Sequence, residues 1–104
     1  MSLQAKILSL IADITDPAMR IDIASTINYI FSLYTTGHFK DDEIRNALRD
    51  IIRDVIAIVH PELTDEEIRK KTKDLVEDFM RAFRVESARR RLFATLGKLV
   101  RSPY

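Results

Sequence analysis

Apolar residues recur along this chain at intervals of three and four, the period of a helix with one buried face, and nowhere alternate as a half-buried strand would. After Ser2, a favoured N-cap residue type, Leu3, Ile7, Leu10, Ile11 and Ile14 mark a first helix that Thr15-Asp16-Pro17 is expected to stop. Asp16 then caps a second helix, and Pro17 takes its first position, where a missing N–H is harmless. That helix, about Pro17 to Thr36, carries Met19, Ile23, Ile27, Ile30, Phe31 and Tyr34 on one broad face, with Ile21, Tyr29 and Leu33 elsewhere around it. Gly37 supplies its stop. Because no charge lies between Asp22 and Lys40, the helix is expected to be central, covered by its neighbours or by another chain.

The acidic run Asp41-Asp42-Glu43 suits the start of a third helix, which would bury Ile44, Leu48, Ile51, Ile52, Val55, Ile56 and Val59 before His60-Pro61 ends it. Thr64 and Glu67 have the spacing of a capping box ahead of a fourth helix whose stripe is Ile68, Thr72, Leu75, Val76, Phe79 and Phe83. From Val85 the apolar set becomes Val85, Ala88, Leu92, Leu96 and Leu99, turned about 130° from that stripe at about 100° per residue. No glycine or proline accounts for the jump. Either the chain turns near Arg84 to Ser87, with Ser87 capping a fifth helix, or one long helix shows two faces to two partners. The second arrangement favours a domain-swapped or intertwined oligomer. With glycine only at 37 and 97 and proline only at 17, 61 and 103, the reading is all-α, a compact bundle of four or five helices with short connections. Residues 1–104 form one domain, with a basic amphipathic C-terminal segment at 84–101.

A chain of 104 residues holds one core and not two, and 46% hydrophobic with 32% charged residues describes a folded domain with a densely charged surface. The absence of cysteine excludes a disulfide framework, a thiolate zinc site and a cysteine nucleophile, and suits a reducing, cytoplasmic setting. No basic n-region followed by an apolar run and a small-residue cleavage site opens the chain. The most apolar stretch, Ile21 to Tyr34, contains Asp22 and Asn28 and falls short of the roughly 20 residues that cross a bilayer. A single glutamine, Gln4, and only two asparagines, Asn28 and Asn46, give a thermophile-like composition.

Candidate chemistry is sparse. His38 with Asp41 or Glu43 is a conceivable metal set, but those carboxylates already serve as a helix's acidic first turn and no second histidine stands near. His60 sits where an imidazole can bond the last carbonyls of a helix. Ser25 or Ser32 could be combined with His38 or His60, yet nothing resembles a nucleophile elbow, and two glycines sixty residues apart exclude a phosphate loop. No catalytic, cofactor or metal residue is assigned, no small-molecule substrate is evident, and the chain reads as non-enzymatic. Pairs at i,i+4 on the fourth helix (Glu66 with Lys70, Glu67 with Lys71, Lys73 with Glu77, Glu77 with Arg81) suggest a solvated, salt-bridged face. On the third, Arg45, Arg49 and Arg53 lie among Asp41, Asp42, Asp50 and Asp54, a self-neutralised surface.

Charge is uneven along the chain. Residues 1–80 hold ten basic and fifteen acidic side chains, a net of −5, whereas residues 81–104 hold seven basic against Glu86 alone, a net of +6. Arg84, Arg91 and Lys98 stack at seven-residue spacing, with Arg90 and Arg101 beside them, opposite Leu92, Leu96 and Leu99. These five basic residues are the candidate phosphate contacts of a small nucleic-acid-binding protein. A membrane surface fits less well, since the segment is short and offers Phe93 but no tryptophan. Phe31, Phe79 and Phe83 fall on core stripes while Tyr29, Phe39 and Tyr104 are scattered, which leaves no stacking platform for single strands. The leading expectation is an assembly or adaptor module that self-associates, a dimer foremost, through Val85, Leu92, Leu96 and Leu99.

Overall fold

Four helices form where caps and apolar periods place them in the computed structural model, which describes the backbone of residues 1–101 and the side chains of residues 1–100. They are α1 (Leu3–Ile11), α2 (Pro17–Thr36), α3 (Asp41–Val59) and α4 (Asp65–Arg101). Ser2 Oγ accepts the Ala5 N–H at 3.1 Å to start α1, and an Asp16 carboxylate oxygen accepts the Ala18 N–H at 3.0 Å to start α2. Gly37 closes α2 in the left-handed region at φ 73°, where a Cβ is strained, and its N–H bonds the Tyr34 carbonyl. The Glu43 carboxylate turns back onto the Lys40 N–H at the start of α3. At α4 the Thr64 N–H donates to Glu67 Oε1 at 3.0 Å while the Glu67 N–H donates to Thr64 Oγ1 at 3.2 Å, a complete capping box.

α3 and α4 share the most extensive contact, and α1 and α2 close the remaining sides. The main core joins Leu3 and Ile7 of α1, Ile27, Ile30 and Phe31 of α2, Ile44, Leu48, Ile52 and Ile56 of α3, and Val76, Phe79, Met80 and Phe83 of α4. A smaller cluster of Ile11, Ile14 and Val55 seals the end beside the α1–α2 turn.

One sequence expectation is corrected here, and one open alternative is decided. α1 stops at Ile11 and not at Thr15: the Ile14 N–H bonds the Ile11 carbonyl in a turn, yet Ile14 stays buried. Periodicity registers burial, and a turn that tucks its apolar residue under the bundle scores like another helical position. Of the two arrangements open after Arg84, the described residues take the single long helix. α4 runs unbroken for 37 residues, and Ser87, the proposed cap, is a buried mid-helix residue whose Oγ accepts from Arg91 Nη1 at 2.7 Å. Among the described residues no helix is long and apolar enough to cross a membrane.

Candidate functional site

The end of α4 defines the site. Thr72, Phe79, Phe83 and Arg90 fall on one line along the helix, at steps of seven, four and seven residues. The first three are buried; Arg90 is where the core stops. Its guanidinium carbon lies 4.8 Å from the centroid of the Phe31 ring, and Phe31 in turn packs on Phe83 with centroids 5.2 Å apart. Tyr34 completes the cluster 5.6 Å from Phe83. A cation over an aromatic face is favoured by the ring quadrupole, so Arg90 lids the end of the core.

Beyond Ser87 the helix leaves the bundle. From Ala88 to Val100 every residue but Gly97 is exposed, and the molecule is stretched to 62 × 29 × 20 Å. This arm carries three of the apolar residues singled out from the sequence, Leu92 at 57% exposed, Leu96 at 46% and Leu99 at 70%, and Val85, at 65%, lies just before it. Phe93 and Val100 are exposed beside them and widen the stripe. Val85, Leu92 and Leu99 recur at seven residues, and Arg89 and Leu96 fill the positions between, the alternating three and four of a helix-pairing seam. Arg89 is the one charged residue on the seam; its guanidinium lies 5.2 Å from the Phe93 ring centroid.

The five candidate phosphate contacts do not form one ridge of equivalent groups. Arg90 is engaged by Phe31 and by Glu86 Oε1 at 3.1 Å, and Arg91 is held to Ser87. Glu86 also reaches Arg89, at 3.7 Å. Arg84 and Lys98 are exposed, and neither has a carboxylate within ion-pair distance among the described residues. The Arg101 side chain lies outside the described residues, as does Tyr104.

Away from the arm, the charged groups pair with one another over the bundle surface. None of the four expected i,i+4 pairs on α4 forms. Glu77 instead accepts from Arg45 Nε of α3 at 2.9 Å, and this bond, more than any other influence, makes Arg45 hold its proton more firmly than an ordinary arginine. Glu67 is committed to Thr64, whose backbone N–H and then hydroxyl hold the carboxyl below its usual range. Sequence spacing gives the intrahelical neighbours of a carboxylate but not the cation across the interface. Arg45 and Arg53 also meet Asp42, Asp50 and Asp54 at 3.5 to 3.8 Å, and Arg49 bonds Asn46, in keeping with a self-neutralised α3 surface.

His60 Nδ1 lies 3.3 Å from Glu62 Oε1 and does not bond the α3 carbonyls, which is a correction; the carbonyl of Ile56 takes the His60 backbone N–H. Neither Ser25 nor Ser32 is hydrogen-bonded to a histidine, and the Ser32 hydroxyl donates to the Tyr29 carbonyl. Among the described residues no three His, Asp or Glu side chains come together as a metal set. A groove of about 330 Å³ between α1, α3 and α4 has a floor that includes Leu10, Val59 and Phe79, but its rim sets Lys6 and Lys71 against Asp13 and Asp78 and so selects no charge in a ligand. No family model, curated protein or solved structure matches this chain.

Proposed function

We propose that this protein is a non-enzymatic assembly module that self-associates through the arm of α4. The observation that carries this reading is the arm itself, a helical segment in which Leu92, Phe93, Leu96, Leu99 and Val100 all face solvent. Helices shorter than about 12–15 residues are marginal in water on their own. The arm is of that length, contains Gly97 and Thr95, and presents an apolar stripe that its own chain leaves uncovered. A second surface resolves both problems, since burying the stripe stabilises the helix and removes an exposed apolar patch. Continuity of α4 supports the same reading: one rigid helix serves its own bundle with one face and reaches outward with another.

The test is light scattering on wild-type protein and on Leu92→Glu/Leu96→Glu over a range of concentrations. A wild-type oligomer that the charged variant reduces to monomer supports the proposal; a wild-type monomer at every concentration sinks it. A second reading, nucleic-acid binding, rests on the unpaired and exposed Arg84 and Lys98 in line with Arg91. With so few available cations, binding to a mixed-sequence duplex would be weak and would fall steeply with salt. A duplex that leaves the protein's elution unchanged at low salt removes that reading.

A further inference from the structure

Self-association of the arm leaves open what receives it. One surface of the bundle has the matching character. α1 and α2 lie side by side, tied by Gln4 Nε2 donating to Asn28 Oδ1 at 2.9 Å near one end, while Ile11 and Ile21 share a groove near the other. Between these points come Leu8 of α1 and Ser25 of α2, with Ile21 and Tyr29 flanking, and Leu8, Ile21 and Tyr29 are each more than 60% exposed. The only charged residue of α1 is Lys6, which lines the groove on the far side against α4. Nor does α2 carry a charge from Ile23 to its end. In a chain that is 32% charged, a two-helix face whose groove is lined by Arg20 as its one charged residue, and which exposes three large apolar residues, is out of character for a solvated surface.

We propose, resting on the self-association reading above, that this α1–α2 face receives the α4 arm of a second copy, and that the exchange is reciprocal. Charge decides between this and direct pairing of two arms. Residues 81–104 carry a net charge of +6, so arm against arm sets like charge on like. The α1–α2 face sets up no such repulsion, because Arg20 in its groove is offset by Asp16 and Asp22 close by in sequence, while Asp13 lines the far groove with Lys6.

Area points the same way. An arm of about 20 Å, half covered, buries ~400 Å² of a helix about 10 Å across. Paired arms therefore give only ~400 Å² per partner, whereas stable interfaces bury about 800 Å² per partner. Reciprocal exchange supplies an arm and a receiving face from each copy and reaches that value. The arm also leaves the bundle beside the receiving helix, with Arg90 on Phe31 of α2, which sets the two halves of the exchange close together in each copy.

The chain has no cysteine, which permits clean disulfide mapping. Ser25→Cys protein mixed with Leu96→Cys protein is expected to give a linked heterodimer on mild oxidation, in preference to either homodimer. In parallel, Ile21→Lys/Tyr29→Lys, at exposed positions that leave the core intact, is expected to weaken wild-type dimerisation at least tenfold. A wild-type dimer that survives this double variant and gives mainly Leu96→Cys homodimers means that arms pair with arms; the inference then fails while self-association stands. A wild-type monomer overturns both.

Discussion

Shortening the two central leucines of the arm tests the assembly reading with little disturbance of the fold. Leu92 and Leu96 are 57% and 46% exposed, so about half of each side chain remains to be buried by a partner. Full burial of a leucine contributes roughly 1.5–3 kcal/mol, so the portion still available is worth about 1 kcal/mol per leucine. A symmetric dimer buries four of them. Leu92→Ala/Leu96→Ala is thus expected to weaken dimerisation by about 4 kcal/mol, close to a thousandfold in Kd. Alanine is the strongest helix former, so the arm itself is not weakened by the change. Sedimentation equilibrium across a concentration series reads the dissociation constant, and urea unfolding at high dilution reads the stability of the monomer. A dissociation constant unchanged within threefold would refute the reasoning. So would a fall of several kcal/mol in monomer stability, which would mean that the leucines are packed within their own chain.

Other outcomes probe the bundle. Phe83 is fully buried at the centre of the aromatic cluster with Phe31 and Tyr34, so Phe83→Ala should cost about 3–5 kcal/mol in urea unfolding; a loss below about 1 kcal/mol would contradict that packing. Gly37→Ala should cost about 1 kcal/mol by forcing a Cβ into the left-handed region, with Gly37→Asn milder, and an unchanged Tm for both would argue against that cap conformation. Glu67 has a carboxyl pKa lowered on folding by the Thr64 N–H and hydroxyl. Its contribution is therefore present above the unfolded-state pKa and lost as pH falls through the lower folded value. Glu67→Gln should lower Tm at neutral pH and flatten its fall on acidification, and identical Tm profiles for the two proteins would remove that role.

Much of the bundle was legible because its signals are local. Ser2, Asp16 with Pro17, Gly37, and Thr64 with Glu67 each cap a helix through groups within three residues, and such pairs are written directly into the sequence. What escaped is what depends on contacts across helices. Ile14 kept the helical period although its backbone had already turned, because the period records burial and not backbone hydrogen bonding. Glu77 had two cations at i±4 on its own helix and chose Arg45 of α3, and Met80 and Ala82 joined the core from flanks of the stripe that only the angle between α3 and α4 could bring inward.

The arm was legible in part for the same reason. The shift of the apolar stripe after Phe83 is a local fact, and its alternatives, a turn or a second partner surface, differ only in whether the backbone breaks. Nothing in residues 84–87 forces a break: they are Arg, Val, Glu and Ser, without the glycine or proline that would end a helix cheaply, and Glu86 and Ser87 each find an arginine one turn onward. An unbroken α4 is then the lower-energy choice, and the stripe it carries outward has to be accounted for by something other than its own bundle. The receiving face is harder to read, because its signal is negative. It consists of charges that α1 and α2 do not carry on one shared side, and that becomes visible only when the fold shows Lys6 turned the other way and Leu8, Ile21 and Tyr29 left in solvent. A long apolar helix such as α2 reads from sequence as a core element, but one bundle of this size has contacts enough to bury only one side of it. In the dimer proposed above, the excess apolar surface of α2 and that of α4 would cover each other across two copies of the chain, which would relieve both at once.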